Sequence, residues 1–202
     1  MAKHVDYYVS INSPWTYLGS QRFEAMARKY GASVTIWPVD FGSVFSVSGG
    51  LPLPKRAPQR QAYRMMELKR WRAHTGVKLT LEPKFFPTNE LPAAKCVIAL
   101  REQGRMADAI EVAHASMAAI WAEEMNPADP TTLKQILTNC GLDAEAVVKA
   151  SEAPEIAEKR EAYTRHAIAQ NVFGAPSFVI DGEIFWGQDR LDFVERRLAA
   201  QQ

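Results

Sequence analysis

The segment Ser13-Pro14-Trp15-Thr16 holds the side chains with the clearest potential for chemistry. A helix is predicted to begin there, because serine is a favoured helix cap and proline is favoured at the first helical position. A helix N-terminus presents unpaired N–H groups and the positive end of the helix dipole, which stabilise an anion such as a thiolate. Ser13 could donate a hydrogen bond to such an anion, or it could be only a cap.

A second candidate site is the segment Phe173-Gly174-Ala175-Pro176, directly before a predicted strand. Pro176 is a candidate for a cis peptide bond, although most X–Pro bonds are trans and the sequence leaves the isomer open. If this proline faces the start of the first helix, the backbone of Ala175 is free to pair with a peptide-like ligand. The alternative interpretation is a rigid loop that leads into the strand.

A third candidate site is the turn Gly187-Gln188-Asp189, which opens the last predicted helix. The carboxylate of Asp189 and the free N–H groups of the turn could hold the amine and the carboxylate of a zwitterion. The simpler interpretation is that Asp189 caps the helix, since aspartate is favoured at that position.

Apolar patterning and turn residues predict the elements that must position these segments. Strands are predicted over residues 5–11, 33–39, 177–180 and 183–186, with Asp181-Gly182 as a two-residue hairpin turn. Helices are predicted over residues 14–30, 58–75, 92–103, 105–124, 131–139, 144–150 and 155–170, and again after Gly187. Residues 42–58 are rich in glycine and proline and are predicted to form a long irregular loop.

The order of these elements predicts an α/β fold, a thioredoxin-like domain interrupted by a large all-helical insertion. Residues 1–42 and 171–202 would form the discontinuous thioredoxin-like domain, and residues 43–170 the inserted helical domain with an active-site loop. Redox proteins of this fold carry a CxxC motif where this chain has Ser13 and Thr16. Disulfide exchange by the chain's own cysteines at that place is therefore excluded.

Together with residues 60–71 (RQAYRMMELKRW), the three segments resemble the glutathione-dependent 2-hydroxychromene-2-carboxylate isomerases and the related kappa-class glutathione transferases. The resemblance covers nearly the whole chain in the same order and implies the architecture of the DsbA and kappa-class proteins. It departs from the family pattern in the loop at residues 43–57. The resemblance also implies that the protein is a homodimer.

The resemblance implies roles for individual residues. Ser13 matches the catalytic serine that holds the glutathione thiolate. Ala175 and Pro176 match the cis-proline pair that bonds the backbone of the tripeptide, and Gln188 and Asp189 match the turn that binds its γ-glutamyl end.

Other residues are candidates for the glutathione or substrate site. Arg60 stands where relatives carry a lysine near the active site, and Asn89 lies in a segment similar to one that borders the substrate pocket. A substrate carboxylate would need a cation, and the candidates in order are Arg60, then Lys55 or Arg56. An aromatic pocket could be walled by Trp15, Phe45 and Tyr63, although such residues are more often part of a core.

The expected reaction is the cis–trans isomerisation of an aromatic degradation intermediate that carries a carboxylate. A thiolate that adds to the conjugated system makes a double bond single, rotation follows, and elimination returns the thiol. One alternative is conjugation of glutathione to electrophiles, in which the adduct is released. A further alternative is a thioredoxin-like binding module without catalytic activity.

Composition excludes several other classes of protein. The formal net charge is +1, which argues against a nonspecific nucleic-acid binder. Cys96 and Cys140 lie far apart in sequence and predict neither a disulfide framework nor a zinc site, and the four histidines lack metal-ligand spacing. The sequence contains no apolar run long enough to span a membrane and no visible secretory signal, so we expect a cytoplasmic protein.

Overall fold

A four-stranded sheet forms the centre of the computed structural model, which describes residues 3–200. Strand β1 (His4–Val9) is parallel to β2 (Ser33–Pro38), and β3 (Ser177–Ile180) is antiparallel to both β1 and β4 (Glu183–Trp186). The spatial order is β2-β1-β3-β4. The two parallel strands and the helix between them form a βαβ unit, and the predicted C-terminal hairpin completes the sheet.

Nine α-helices connect and cover the strands in the described part of the chain. They are α1 (Pro14–Lys29), α2 (Phe41–Ser48), α3 (Pro58–Thr75), α4 (Leu91–Glu102), α5 (Met106–Trp121), α6 (Pro130–Asn139), α7 (Ala144–Ser151), α8 (Pro154–Ala169) and α9 (Leu191–Ala199). Short 3-10 turns lie at Leu53–Lys55 and Gln188–Arg190. Apart from α2, each helix lies within a few residues of its predicted range.

Turn chemistry explains the edges of the sheet. Pro38 ends the edge strand β2, where a missing N–H leaves no ladder bond unmade. Asp181 and Gly182 both adopt positive φ angles, 51° and 81°, which is the conformation of the favoured two-residue hairpin turn. The predicted hairpin is confirmed.

The core joins the sheet to the helices on one side. The fully buried Tyr7 stacks on Phe178 with ring centroids 5.0 Å apart, and Phe23 of α1 packs against both rings. The same apolar cluster continues into Val97 of α4 and Met117 of α5. The helical stretch therefore packs directly against the sheet, and the division into domains at residues 43 and 170 stays a prediction.

The prediction of an irregular loop over residues 42–58 is wrong for its first part. Asp40 caps α2 by accepting a hydrogen bond from the N–H of Gly42 at 2.9 Å. Phe41 and Val44 lie one helical turn apart and are both buried, so burial of this face outweighs the weak helix propensity of Gly42. Gly49 ends the helix with a φ of 75°.

Candidate active site

Ser13 lies between the end of β1 and the first turn of α1. Its Oγ accepts a hydrogen bond from the N–H of Thr16 at 3.1 Å and donates one to the carbonyl oxygen of Ala175 at 3.4 Å. The second contact is longer than an ordinary hydrogen bond between a hydroxyl and a carbonyl, which measures about 2.7–2.8 Å. The Ser13 proton is therefore held weakly and can be redirected to a better acceptor. Thr16, by contrast, is fully buried and faces no solvent.

Ala175 and Pro176 lie opposite the start of α1. The peptide bond between them is cis, which answers the question that the sequence left open. The carbonyl oxygen of Pro176 accepts a hydrogen bond from the N–H of Gly187 at 2.9 Å, so this loop is tied to the turn after β4. Gly187 has a φ of 106°, which a residue with a side chain rarely adopts.

The turn at Gln188–Arg190 is fixed from behind by Arg22 of α1. The Arg22 guanidinium donates to the carbonyl oxygen of Gln188 at 3.0 Å and also to its side-chain oxygen. Gln188 is buried, so its side chain serves this contact. Asp189 is exposed and pairs with Arg190 at 2.8 Å. What the turn offers to a ligand is its backbone and the Asp189 carboxylate.

One face of α3 completes a cavity of about 480 Å³ with these loops, which we call the arginine cavity. It brings together seven candidate residues from the sequence: Trp15, Arg56, Arg60, Tyr63, Ala175, Gln188 and Asp189. Ser13 adjoins it through its contact with Ala175. The other lining residues are Gln59, Arg64, Glu67, Trp71, Trp186, Gly187 and Arg190.

Positive charge exceeds negative charge in the arginine cavity. The two carboxylates in its wall are already paired, Glu67 with Arg70 and Asp189 with Arg190. Three other arginines of the wall form no ion pair with a carboxylate in residues 3–200, namely Arg56, Arg60 and Arg64.

Burial and like charge lower the pKa values of two arginines of this cavity. Burial, with a smaller contribution from the like charge of Arg56, lowers the pKa of the Arg64 guanidinium to about 10. Burial also lowers the pKa of Arg56, and the charge of Arg60 adds to the effect. Arginine side chains are in general cationic at neutral pH, so the cavity is suited to an anion.

A second cavity of about 380 Å³ lies on another side of the Ser13 segment, and we call it the glutamate cavity. Its centre is Glu90, which accepts hydrogen bonds from the hydroxyl of Ser10 at 2.7 Å and the N–H of Asn12 at 3.1 Å. Arg160 of α8 forms an ion pair with the same carboxylate at 3.0 Å. The charge of Glu90 is therefore matched by that of Arg160, and the Asp40 carboxylate, which also lines this cavity, accepts hydrogen bonds from the N–H of Gly42 and the hydroxyl of Ser43.

Two residues predicted for the ligand pocket lie in the glutamate cavity instead. Asn89 is exposed there, and its side-chain oxygen accepts a hydrogen bond from the N–H of Leu91 at 3.1 Å, at the start of α4. Phe45 lines the same cavity. Lys55 is exposed and lines neither cavity, whereas Arg56 lines the arginine cavity.

Sequence reasoning gave no individual role to Arg64, Trp71 or Trp186. Arg64 lies one helical turn after Arg60 and Trp71 two turns further, so the spacing along α3 could have placed them on the same face. Trp186 ends β4, and its indole covers Gly174, where a side chain would have no room. No local signal distinguishes this tryptophan from one in a core.

The two cysteines of the chain are poor nucleophiles. Cys96 is fully buried and Cys140 is half-buried, and both are free thiols. Burial raises the pKa of Cys96, and burial together with nearby carboxylates raises the pKa of Cys140 to about 11. Both thiols are therefore protonated at neutral pH, and a thiolate at Ser13 would have to come from another molecule.

Two structural features are absent from residues 3–200. No group of three potential metal-ligating side chains occurs in that part of the chain. None of the helices there is both long enough and apolar enough to cross a bilayer.

Comparison with known proteins relates the chain to one family. Residues 4–199 match the family model of the DSBA-like thioredoxin domain. The chain is 32% identical over 201 residues to a 2-hydroxychromene-2-carboxylate isomerase of Sphingobium xenophagum, with 98% of this chain and 99% of the relative covered.

Solved structures agree with this relationship. A 2-hydroxychromene-2-carboxylate isomerase superposes with a TM-score of 0.82 at 25% identity, over 96% of this chain and 94% of the other. The cytosolic disulfide reductase DsbM from Pseudomonas aeruginosa, solved with GSH, superposes with a TM-score of 0.67 at 18% identity, over 98% and 100%. The latter likeness concerns the fold alone, and the predicted thioredoxin-like fold is confirmed.

Proposed function

The chain belongs to the 2-hydroxychromene-2-carboxylate isomerase family of DSBA-like thioredoxin proteins, and from this premise we propose that it is a glutathione-dependent isomerase. Its proposed substrates are 2-hydroxychromene-2-carboxylate and similar aromatic degradation intermediates that carry a carboxylate. The reaction is a cis–trans isomerisation. The reducing cytoplasm, where glutathione is available, is the compartment that fits both the cofactor and the free cysteines.

One observation carries the proposal: a weakly engaged serine hydroxyl at a helix N-terminus adjoins a cavity with three arginines that form no ion pair within residues 3–200. Ser13 donates to Ala175 at a long distance of 3.4 Å, so its proton is available to an incoming anion. The first helix supplies additional positive potential at the same place. Neither cysteine of the chain can supply a thiolate at neutral pH, so the nucleophile has to be bound from solution.

The residues of the arginine cavity fit glutathione. The tripeptide carries two carboxylates, an amine and a thiol, and the cavity offers excess cations, one exposed carboxylate and a hydroxyl. Arg60 and Arg56 would hold a carboxylate, and Asp189 would hold the amine. The backbone of Ala175 before the cis bond would pair with the peptide.

When bound, glutathione supplies the thiolate that adds to the conjugated substrate and leaves again after rotation. Ser13 holds that sulfur by donating its hydroxyl proton, which favours the charged form of a thiol whose ordinary pKa is about 8.5. Lowering this pKa by ~1.5 units needs about 2 kcal/mol of preferential binding to the anion. A charge-assisted hydrogen bond and a helix N-terminus are of that size together.

The aromatic side chains of the cavity would orient a flat substrate. Trp15, Tyr63, Trp71 and Trp186 line the cavity that adjoins Ser13. A substrate that covers these rings displaces water, and its carboxylate is then held more strongly because fewer water molecules compete for the charge.

The proposed function is tested by following substrate and thiol together. Purified protein is incubated with 2-hydroxychromene-2-carboxylate and substoichiometric glutathione, and the isomer ratio is measured by absorbance while free thiol is titrated. We expect many turnovers for each glutathione and no loss of thiol. Stoichiometric consumption of thiol would identify a transferase instead, and calorimetry that detects no glutathione binding would identify a module without this activity.

The quaternary structure is tested separately. A homodimer is expected from the family resemblance, and size-exclusion chromatography with light scattering measures it directly. A mass close to the 22.6 kDa of one chain would contradict that expectation.

A further inference from the structure

We propose that Arg64 is a carboxylate-binding residue at the inner side of the arginine cavity. Arg64 lies within residues 60–71, which contribute to the family resemblance, but neither the sequence nor the resemblance gave it a role. The identity of the carboxylate, an aromatic substrate or the tripeptide, rests on the proposed function. The existence of the subsite does not.

The surroundings of Arg64 are unusual for a cation. Its guanidinium carbon lies 5.3 Å from the ring centroid of Phe86 and 5.8 Å from that of the fully buried Trp121. Within residues 3–200 its side chain donates one hydrogen bond, a weak one to the sulfur of Met65 at 3.8 Å. A partly buried guanidinium with five donors has thus almost no protein acceptor.

The fold compensates the charge of Arg64 only in part, through cation–π contacts with Phe86 and Trp121. A partly buried cation without a counter-ion is destabilising, since its desolvation is not offset by an ion pair. The nearest elements add cations, with Arg56 and Arg60 facing the same cavity, and the Glu67 carboxylate is engaged by Arg70. An anionic ligand supplies the missing partner, and a planar carboxylate matches the fork of a guanidinium.

The aromatic lining of the arginine cavity favours the substrate as the source of the carboxylate. Trp15, Tyr63, Trp71 and Trp186 line the cavity together with Arg64, while Arg60 is exposed and lies one turn closer to the helix start. An aromatic acid bound at Arg64 would place its ring among these side chains. A peptide carboxylate would be met first by the exposed Arg60.

Binding of a non-reacting aromatic acid tests the subsite without relying on turnover. Salicylate is titrated into wild-type protein, Arg64→Met and Arg64→Lys, and tryptophan fluorescence is recorded, with salicylamide as the uncharged analogue. We expect Arg64→Met to bind salicylate roughly 10- to 100-fold more weakly, the factor for a lost hydrogen bond to a charged group. The affinity of Arg64→Lys for salicylate should lie between those of the wild type and Arg64→Met, since lysine keeps the charge but lacks the planar guanidinium.

A parallel titration distinguishes the two sources of the carboxylate. S-methylglutathione replaces salicylate, so that no thiol chemistry interferes. A weaker affinity of Arg64→Met for this peptide, with salicylate unaffected, would assign the subsite to the tripeptide. Unchanged affinity for both ligands, or a wild-type protein that binds salicylamide as well as salicylate, overturns the proposal.

Two controls separate binding from folding and from the proposed function. Arg165→Met makes the same chemical change at an exposed position on α8 and should leave both affinities unchanged. The thermal midpoint of Arg64→Met should equal or exceed that of the wild type, whereas a purely structural Arg64 would lower it. If the protein shows no isomerase activity, the salicylate result still decides whether the subsite exists.

Discussion

The two cavities beside Ser13 are similar in size, but they differ in whether their charged side chains are paired. In the arginine cavity both wall carboxylates are engaged, and three cations have no carboxylate partner within residues 3–200. In the glutamate cavity the Glu90 carboxylate accepts hydrogen bonds from the Ser10 hydroxyl, the N–H of Asn12 and the Arg160 guanidinium. Cavity volume alone, about 480 Å³ against about 380 Å³, does not separate a ligand site from a structural one.

The difference teaches that chemistry is found where polar groups are left without partners. A network whose members satisfy one another rigidifies the fold and has little free energy to offer a ligand. Unmatched cations cost stability in the free protein and recover it when an anion binds. Substitutions in the first cavity should therefore change activity, and substitutions in the second should change stability.

The largest expected effect is on turnover in Ser13→Ala. Removing the hydroxyl deletes the hydrogen bond to the bound thiolate, and we expect a rate lower by roughly 100-fold or more, as for the loss of one donor to a developing anion. The fold should persist, because loss of a serine cap costs about 1 kcal/mol. Initial rates with glutathione and the hydroxychromene carboxylate measure the first effect and thermal unfolding the second.

The matched control is Ser10→Ala, the same chemical change three residues earlier in the glutamate cavity. Ser10 donates to Glu90, so its loss should lower the free energy of unfolding by about 1 kcal/mol and leave turnover unchanged. Wild-type turnover in Ser13→Ala, or a large loss of turnover in Ser10→Ala, would contradict the contrast between the cavities.

A second prediction concerns the ion pair of the glutamate cavity. Glu90→Gln leaves Arg160 without its counter-charge in a site where the two side chains are only 15% and 17% exposed. We expect the free energy of unfolding to fall by about 3 kcal/mol, which urea denaturation measures.

The comparison variant is Glu67→Gln in the arginine cavity, whose partner Arg70 lies in solvent with 61% of its side chain exposed. Its effect on unfolding should be much smaller, since exposed pairs are screened by water. Equal destabilisation by the two variants would mean that the cavities do not differ in how they hold charge.

A third prediction separates two residues that the sequence assigned to one pocket. Arg60→Met should raise the KM for glutathione roughly tenfold by removing a charged hydrogen-bond donor from the arginine cavity. Asn89→Ala should leave that KM unchanged, because Asn89 lies in the other cavity and bonds the N–H of Leu91. Steady-state kinetics with varied glutathione give both values. A higher KM in Asn89→Ala would mean that both cavities contribute to glutathione binding.

The smallest expected effect comes from His114, which lies outside both cavities. It tests how the free energy of unfolding depends on pH at a site away from the proposed ligands. It stacks on Tyr17 with centroids 5.7 Å apart and shares a hydrogen bond of 2.7 Å with Ser20. Burial lowers its pKa below the ordinary value of about 6.5, so that it is neutral in the folded protein at neutral pH.

The sign of the pH effect follows from proton binding. Below a pH of about 6.5 the unfolded chain takes up a proton that folded His114 resists, so the free energy of unfolding falls as the pH decreases. Above that pH the contribution is constant. Urea denaturation across this range should show a shallower dependence in His114→Gln, and an identical slope in both proteins would show that another group is responsible.

The sequence by itself determined the local elements and the candidate residues that lie close together along the chain. Ser13-Pro14 specifies a capped helix start, Asp181-Gly182 specifies a hairpin, and the apolar spacing of α3 specifies a helix at residues 58–75. These features depend on backbone geometry and on capping within a few residues, which local residue types decide. Ser13 at the first helix and the loop before β3 were located by the same kind of information, whereas the cis isomer of Pro176 is seen only in the structure.

Only the tertiary structure decided which polar residues remain unmatched. Glu90 and Arg160 are 70 residues apart in sequence, and nothing local to either predicts that they neutralise each other. Arg64 and Asn89 show the same limit, since helix spacing gives the face on which a residue lies but not the surface that this face meets. A net charge in a cavity is the sum over neighbours from α1, α3, the cis-proline loop and the turn after β4, and it exists only once these elements are packed together.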